Sequence, residues 1–504
     1  MADRMNKTNK SSLPHSAYSA EWLRGWEGEA AKLAGLSLYQ LMERAGDAAL
    51  RTINWCYPYA RHYLILAGHG NNGGDGYVAA RLAAAQGKAV TVIECPGSRP
   101  LPDEARQARQ AWLDAGGSIA GVDEGWPPQV DVIVDGLLGT GLKDAPREPY
   151  TGLIHRANDH GAPIVSLDLP SGLNAETGAA PAAVIKAAHT VTFIALKPGL
   201  LTGKARSVTG KLHYDDLGLG NWLQQQTPLL ERLTADLLPR WLTPRDPCAH
   251  KGDNGRLVII GGDHGLSGAI RMTGEAALRT GAGLVRVLTR EENVGSLLTA
   301  RPELMVEPLN DQSLRQGLEW ADVIVIGPGL GQSEWGKNAL RIAENYDKPM
   351  LWDADALNLL AINPQKRHNR IVTPHPGEAA RLLNSKVGVV ESDRFLAAAN
   401  IAKRYGGVVV LKGAGTLIAD AGGQTSIADV GNAGMASGGM GDLLSGIIGG
   451  LLAQKLSLYD AACAGCVIHG AAADWLAAEK GTRGMLATDL LPALYRFVNP
   501  EHFA

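Results

Sequence analysis

Apolar positions along this chain fall into a repeating pattern. Short runs rich in Val and Ile recur, each followed by a glycine-rich turn and then an Ala/Leu-rich stretch of helical character. That alternation predicts parallel strands joined by crossover helices. In the first half the strand runs are His62–Ala67, Ala89–Glu94, 130–135, 163–168 and 190–194. In the second half they include Arg256–Ile260, 285–289, Val323–Ile326, 350–353, 371–373 and 408–412. Residues 21–53 carry apolar positions at helical spacing and predict two amphipathic helices ahead of the first sheet. Residues 215–239 show no strand pattern and are polar with glycyl and prolyl breaks, so domains are expected at 1–225 and 226–504. The length of 504 residues agrees, because one core rarely grows past about 250–300 residues.

Composition narrows the class. With 45% apolar and 20% charged residues the chain is an ordinary folded protein, and a net charge of −3 gives no footprint for nucleic acid or a membrane surface. Five cysteines do not make a disulfide framework, which points to a reducing compartment. Cys463 and Cys466 form a CxxC without a second pair; their Ala- and Gly-rich flanks read as helix packing rather than redox or zinc chemistry. The first twenty residues are polar and lack the apolar core of a signal peptide, and no uninterrupted apolar run reaches membrane-spanning length. A cytoplasmic protein with a loose N-terminal tail is expected, acting on small molecules, without nucleic-acid or membrane partners, and self-associating as a homo-oligomer.

In open parallel sheets, ligands sit outside the carboxyl ends of the strands, so chemistry is sought just after each apolar run. The segment HYLILAGHGNNGGDGYVAARLAAAQG runs from a strand through a loop at 68–75 into a helix expected from about Gly76. Glycines let a ligand approach the backbone, and a helix start favours pyrophosphate. A bare turn would not need Asn71, Asn72 and Asp75. VIVDGLLGTGLKDAPREPY and IVSLDLPSGLNAETG end their strands at Asp135 and Asp168. Asn72, Asp135 and Ser171 would converge as oxygen ligands of a hard cation.

In the second half, DVGNAGMASGGMGDLLSGIIGGLLAQ opens an apolar helix after Gly438, Gly439, Met440 and Gly441. Their amides form an expected anion hole for a transferring phosphoryl group, and Asp442 is placed to accept a proton from a substrate hydroxyl. VVVLKGAGTLIAD places Lys412, Gly413, Ala414, Gly415 and Thr416 in a tight turn between strands, without P-loop spacing. VIGPGLG, WDADALN and TPHPGEAARLL, the last with His375, each follow a strand run.

These segments carry a family resemblance. LMERAG, GHGNNGGDGYVAAR, DGLLGTGLKDAPREPY and SLDLPSGLNAETG resemble the signatures of the NAD(P)H-hydrate epimerase family over about residues 20–215. The resemblance implies a Rossmann-like three-layer sandwich with a dinucleotide site at Asn71, Asn72, Gly73, Gly74, Asp75, Gly139, Thr140, Gly141, Leu142, Lys143, Asp144, Ala145 and Asp168. It implies potassium on Asn72, Asp135 and Ser171. It makes Asp168 and Lys143 the candidates for work at C6 of the nicotinamide ring, with donor and acceptor left open.

HKGDNGRLVIIGG, SGAIRMTGEAALRTGAGLVRV, VIGPGLG, WDADALN, TPHPGEAARLL, LKGAGT and NAGMASGGMGD resemble the ribokinase-like NAD(P)H-hydrate dehydratases over about 235–500. That implies nucleotide contacts at 412–416 and Gly441. It implies hydrated-nicotinamide contacts at Ala269, Gly331, His375 and Asp442, with ADP as co-substrate and magnesium beside it. Phosphorylating the ring hydroxyl would turn it into a leaving group whose elimination restores the double bond. The rival reading is a small-molecule kinase, for a vitamin-precursor alcohol, fused to a Rossmann-like binding module that has lost its reaction.

Overall fold

The computed structural model describes residues 13–503. Most of the polar tail read from the sequence, residues 1–12, lies outside them. The chain divides into two compact units, Met1–Glu231 and Arg232–Ala504. The division falls at 231/232 where 225/226 was expected. A strand at Leu230–Leu233 crosses it, within the stretch read as strandless; a four-residue LERL run is too short to show an alternation.

The first unit carries seven parallel strands: His62–Ala67 (β1), Ala89–Glu94 (β2), Ala120–Gly121 (β3), Val132–Gly136 (β4), Ile164–Leu167 (β5), His189–Phe193 (β6) and Lys211–Asp215 (β7). Their order is β3-β2-β1-β4-β5-β6-β7. The sheet is buried on both faces. Along β1, Tyr63, Ile65 and Ala67 join one core, while Leu64 and Leu66 join the other. Alternation by two places successive side chains on opposite faces, so a continuous apolar run is a strand covered on both sides.

The two expected leading helices are Ala20–Leu33 and Leu38–Cys56. Ser37 and Gln40 cap the second reciprocally (3.1 and 2.9 Å), and Leu41, Ala45, Ala48, Ala49 and Ile53 supply its buried stripe.

The second unit is also a three-layer α/β structure. Its strands are Arg256–Ile260 (β8), Leu284–Thr289 (β9), Met305–Pro308 (β10), Val323–Ile326 (β11), Met350–Trp352 (β12), Arg370–Val372 (β13), Val408–Leu411 (β14), Thr416–Asp420 (β15) and Thr425–Ala428 (β16). They run β16-β15-β14-β13-β12-β11-β8-β9-β10, parallel except for the antiparallel pairs at β14–β15 and β15–β16. Helices Ser267–Thr280 and Met440–Ala453 pack so closely that a Cβ on Gly446 would collide with the Thr273 carbonyl.

Helix Leu458–Lys480 is long and apolar enough to cross a membrane by length and composition, yet 78% of that apolar window is buried inside the unit. It is a core helix, and Cys463 and Cys466 are buried within it.

Candidate active sites

The carboxyl ends of the first unit's strands open on a cavity of 650 Å³. Asp168 follows β5 there with φ +64°, a left-handed conformation that costs a non-glycine residue energy and marks a position held by its surroundings. Its Oδ1 accepts from Thr192 Oγ1 (3.1 Å) and Phe193 N (3.2 Å) and pairs with the Lys197 ammonium. Lys197 is 2% exposed and also donates to the Phe193 carbonyl (2.7 Å). Two further carboxyls face this pair. Burial, then the charge of Asp168, pushes Asp75 well above the ordinary carboxylate range and raises Glu27. One buried ammonium thus stands among three acids at the floor of the cavity.

Lys143 stands outside the cavity lining in this structure. Its ammonium is 73% exposed and lies 3.6 Å from Glu21, and neither it nor Asp144 nor Ala145 lines the cavity. The lysine at Asp168 is Lys197, in IALKPGL just after β6, and the sequence reading passed over it. Its position after a strand end was the available signal. Glu27 was also missed, because WEGEAAK on helix Ala20–Leu33 reads as a solvated face.

Asn71, Asn72, Asp75, Gly139, Thr140, Gly141 and Leu142 do line the cavity. The helix begins at Asn71, five residues before the expected Gly76, and no side chain caps its first turn. Gly73 and Gly74 are therefore helical. A Cβ on Gly73 would strike the Gly68 carbonyl, and one on Gly74 would press on Met42 and Ala105. Their smallness serves close packing of the helix start, which leaves the first-turn amides open to the cavity.

Asp135 is fully buried at the end of β4. It accepts from Ser166 Oγ (2.7 Å), Ser171 N (2.9 Å) and the Ser171 hydroxyl, while burial holds its carboxyl above the usual range. The Leu138 carbonyl receives both Asn72 Nδ2 (3.1 Å) and Ser171 Oγ (3.3 Å). Asn72 Oδ1 is buried with no hydrogen-bond partner. A buried carboxylate, a hydroxyl, a carbonyl and an orphaned amide oxygen in one place have the donor chemistry of a hard-cation site.

In the second unit the acids gather around Lys412. Its Nζ donates to Asp353 Oδ1 (2.9 Å) and lies 3.9 Å from Glu378 Oε2. Burial works against that charge, but Asp353 and Glu378 outweigh it and raise the Lys412 pKa. Asp353 is 2% exposed and takes a second bond from Ser445 Oγ (2.8 Å). Burial pushes Glu378 up to about 7. Asp442 rises to about 6, through burial and the neighbouring Asp353, with Lys412 opposing. Lys412, expected as a nucleotide contact, thus stands under the start of helix Met440–Ala453, where a Cβ on Gly441 would sit 3.2 Å from its Nζ.

Gly439 leads into that helix with φ +89° and no side-chain cap, and the space in front of Gly438 is open. His375 caps helix Pro376–Leu382: its Nδ1 accepts from Gly377 N (2.9 Å), and the His375 amide donates to Glu378 Oε2 (2.8 Å). Gly331 donates to Asp355 (2.9 Å) and packs against Asp263, while Ala269 lies against Gly329 of the same loop. Residues 412–416 form the tight turn between β14 and β15, closed by a Thr416 Oγ1 to Gly413 carbonyl bond (3.2 Å).

Acids gathered around a buried lysine at the carboxyl ends of the strands in a Rossmann-like unit, joined in one chain to an acid at an uncapped helix start in a second α/β unit, define a two-site α/β enzyme. Residues 38–199 match the family model described as YjeF-related protein N-terminus, and residues 257–496 match that of NAD(P)H-hydrate dehydratase. The chain is 66% identical to the bifunctional NAD(P)H-hydrate repair enzyme of Escherichia coli over 99% of its own length and 97% of the relative's. It is 47% identical to that of Leishmania braziliensis over 97% and 94%. A solved ribokinase-like superfamily protein from Enterococcus faecalis matches 55% of the chain and 98% of its own, with TM-score 0.51 and 31% identity. The chain belongs to the bifunctional NAD(P)H-hydrate repair enzymes, with an epimerase half and a dehydratase half. Full-length relatives of this kind support repair over the rival kinase fused to an inert module.

Proposed function

We propose that the first unit interconverts the R and S forms of hydrated NADH and NADPH at Asp168 and Lys197. The second unit then removes water from the S form using ADP, with Asp442 as base. The observation that carries the reading is the place of Asp442 in the first turn of an uncapped helix whose Gly441 stands against Lys412; its carboxyl is also pushed up to about 6, through burial and Asp353. A carboxylate with a pKa near 6 is ionised at neutral pH yet basic enough to take a hydroxyl proton as phosphoryl transfer proceeds. The amides of residues 438–441 face the transferring group, and the nucleotide lies along the 412–416 turn. The β-phosphoryl group of ADP passes to the ring hydroxyl as AMP leaves; phosphate then departs from C6 with a proton from the adjacent ring carbon, and the ring double bond returns. Magnesium would neutralise the nucleotide's phosphates.

In the first unit, the pyrophosphate of the substrate takes the open amides at the Asn71 helix start. Asn72, Asp135 and Ser171 would hold potassium, whose fixed positive charge suits that end of the dinucleotide. Asp168 exchanges a proton with the substrate as the bond at C6 opens and reforms, and Lys197 keeps the carboxylate oriented. A cytoplasmic location and self-association are the remaining parts of the reading; light scattering tests the second.

The test is recovery of dihydronicotinamide absorbance from hydrated NADH with ADP, with ATP and with neither. Recovery with ADP should rise with pH and level off above about 6, because only ionised Asp442 accepts a proton; below that it should fall about tenfold per unit. Asp442→Asn should lower recovery about 10²–10⁴-fold. Near-normal dehydration by that variant would reduce Asp442 to a helix-capping charge.

A further inference from the structure

A second cluster of reactive side chains lies in the first unit, away from the cavity. Cys56 ends helix Leu38–Cys56, His189 opens β6, and His213 sits in β7. The cavity is built at the carboxyl end of β6, whereas His189 marks its amino end, so the two sites occupy opposite ends of the sheet. Cys56 Sγ lies 3.5 Å from His189 Nδ1 and 3.9 Å from His213 Nε2, and the two ring nitrogens are 3.0 Å apart. In a tetrahedral zinc site the ligand atoms stand about 3.4 Å (N to N) and about 3.6 Å (S to N) apart, given Zn–N of about 2.0–2.1 Å and Zn–S of about 2.3 Å.

We propose that Cys56, His189 and His213 bind one zinc ion. Three different elements supply one ligand each, and shifts of a few tenths of an ångström bring the triangle to zinc spacing. Tyr57 meets His189 edge-on (5.5 Å) and Trp55 meets His213 edge-on (6.1 Å), which fixes the ring planes. The three ligands are half-buried, and solvent supplies the fourth. A thiolate with two imidazoles selects zinc over magnesium or calcium, which prefer oxygen. Binding breaks the Sγ–H bond and forms Sγ–Zn; the proton leaves to solvent and nothing is oxidised. Lys211, on the same strand as His213, faces the cluster, and its charge works against a bound cation. Zinc here would staple the end of helix Leu38–Cys56 to β6 and β7.

The experiment uses the full, untagged chain with the exposed Cys248 replaced by Ser, so that no surface thiol competes. Zinc is titrated against a chromophoric chelator, and cobalt(II) serves as the spectroscopic probe. One equivalent should bind, with a sulfur-to-cobalt charge-transfer band and intense tetrahedral visible bands. Cys56→Ser should abolish the charge-transfer band. It and His213→Gln should each weaken zinc by at least about 100-fold, since loss of an outer-shell partner alone costs about 10–100-fold. Zinc should raise the thermal midpoint of the parent and not of the variants, while epimerase rates of the variants stay at the parent's level. The absence of a sulfur–cobalt band in the parent overturns the site even if both variants misfold. Unchanged zinc affinity in folded variants overturns it as well.

Discussion

Three donors converge on one oxygen of Asp168, and the strongest of them, Lys197, is almost wholly inside the protein. Removing a buried partner strands the remaining charge, whereas removing an exposed one changes little. Lys197→Met should therefore cut epimerase kcat by about 10²–10⁴-fold, because Asp168, the proton-transferring group, loses the partner that orients it. Lys143→Ala should change it by less than about fivefold, because its pairing with Glu21 is solvent-exposed. Steady-state epimerisation of one isolated epimer reads both. Single residues were the least legible level of the sequence. Asp168 and Asp135 announced themselves as acids at strand ends. Lys197 carried no comparable mark, because pairing across a turn is a tertiary fact. Lys143 sat in a persuasive motif, yet its side chain points to Glu21.

At the level of elements, most long apolar runs became strands within one or two residues, because burial on both faces leaves a continuous signal. The strands that escaped notice were short or edge elements such as Ala120–Gly121, Met305–Pro308 and Thr425–Ala428. The larger misreading was at residues 71–75, where glycine and asparagine suggested loop and the structure has helix. Glycine weakens a helix by about 1 kcal/mol per residue, but here it allows the helix start to press on Gly68, Met42 and Ala105. Gly73→Ala tests that account. Propensity alone predicts stabilisation. The collision with the Gly68 carbonyl predicts a loss of about 1–3 kcal/mol and a displaced helix start. Urea unfolding, read together with epimerase KM, separates the two: the variant should unfold at lower urea and bind hydrated NADH more weakly.

The whole molecule joins two chemistries that meet in one substrate. A dehydratase that accepts only S would leave R stranded, and an epimerase alone would shuffle isomers without restoring either. The domain plan was legible because two α/β patterns of this length exceed one core. The pairing of functions was legible because both motif sets stand together in one chain, and the full-length relatives are bifunctional repair enzymes by name. The most direct measurement follows pure R-form hydrated NADH by chromatography, with ADP and magnesium, in the parent, Asp442→Asn and Asp168→Asn proteins, each rate corrected for spontaneous epimerisation. The parent should return all of it to NADH. Asp442→Asn should produce an R/S mixture and then stall. Asp168→Asn should leave R in place while still consuming added S. Direct conversion of R to NADH at the parent's rate by Asp168→Asn, or no S from Asp442→Asn, would contradict the division of labour between the two sites.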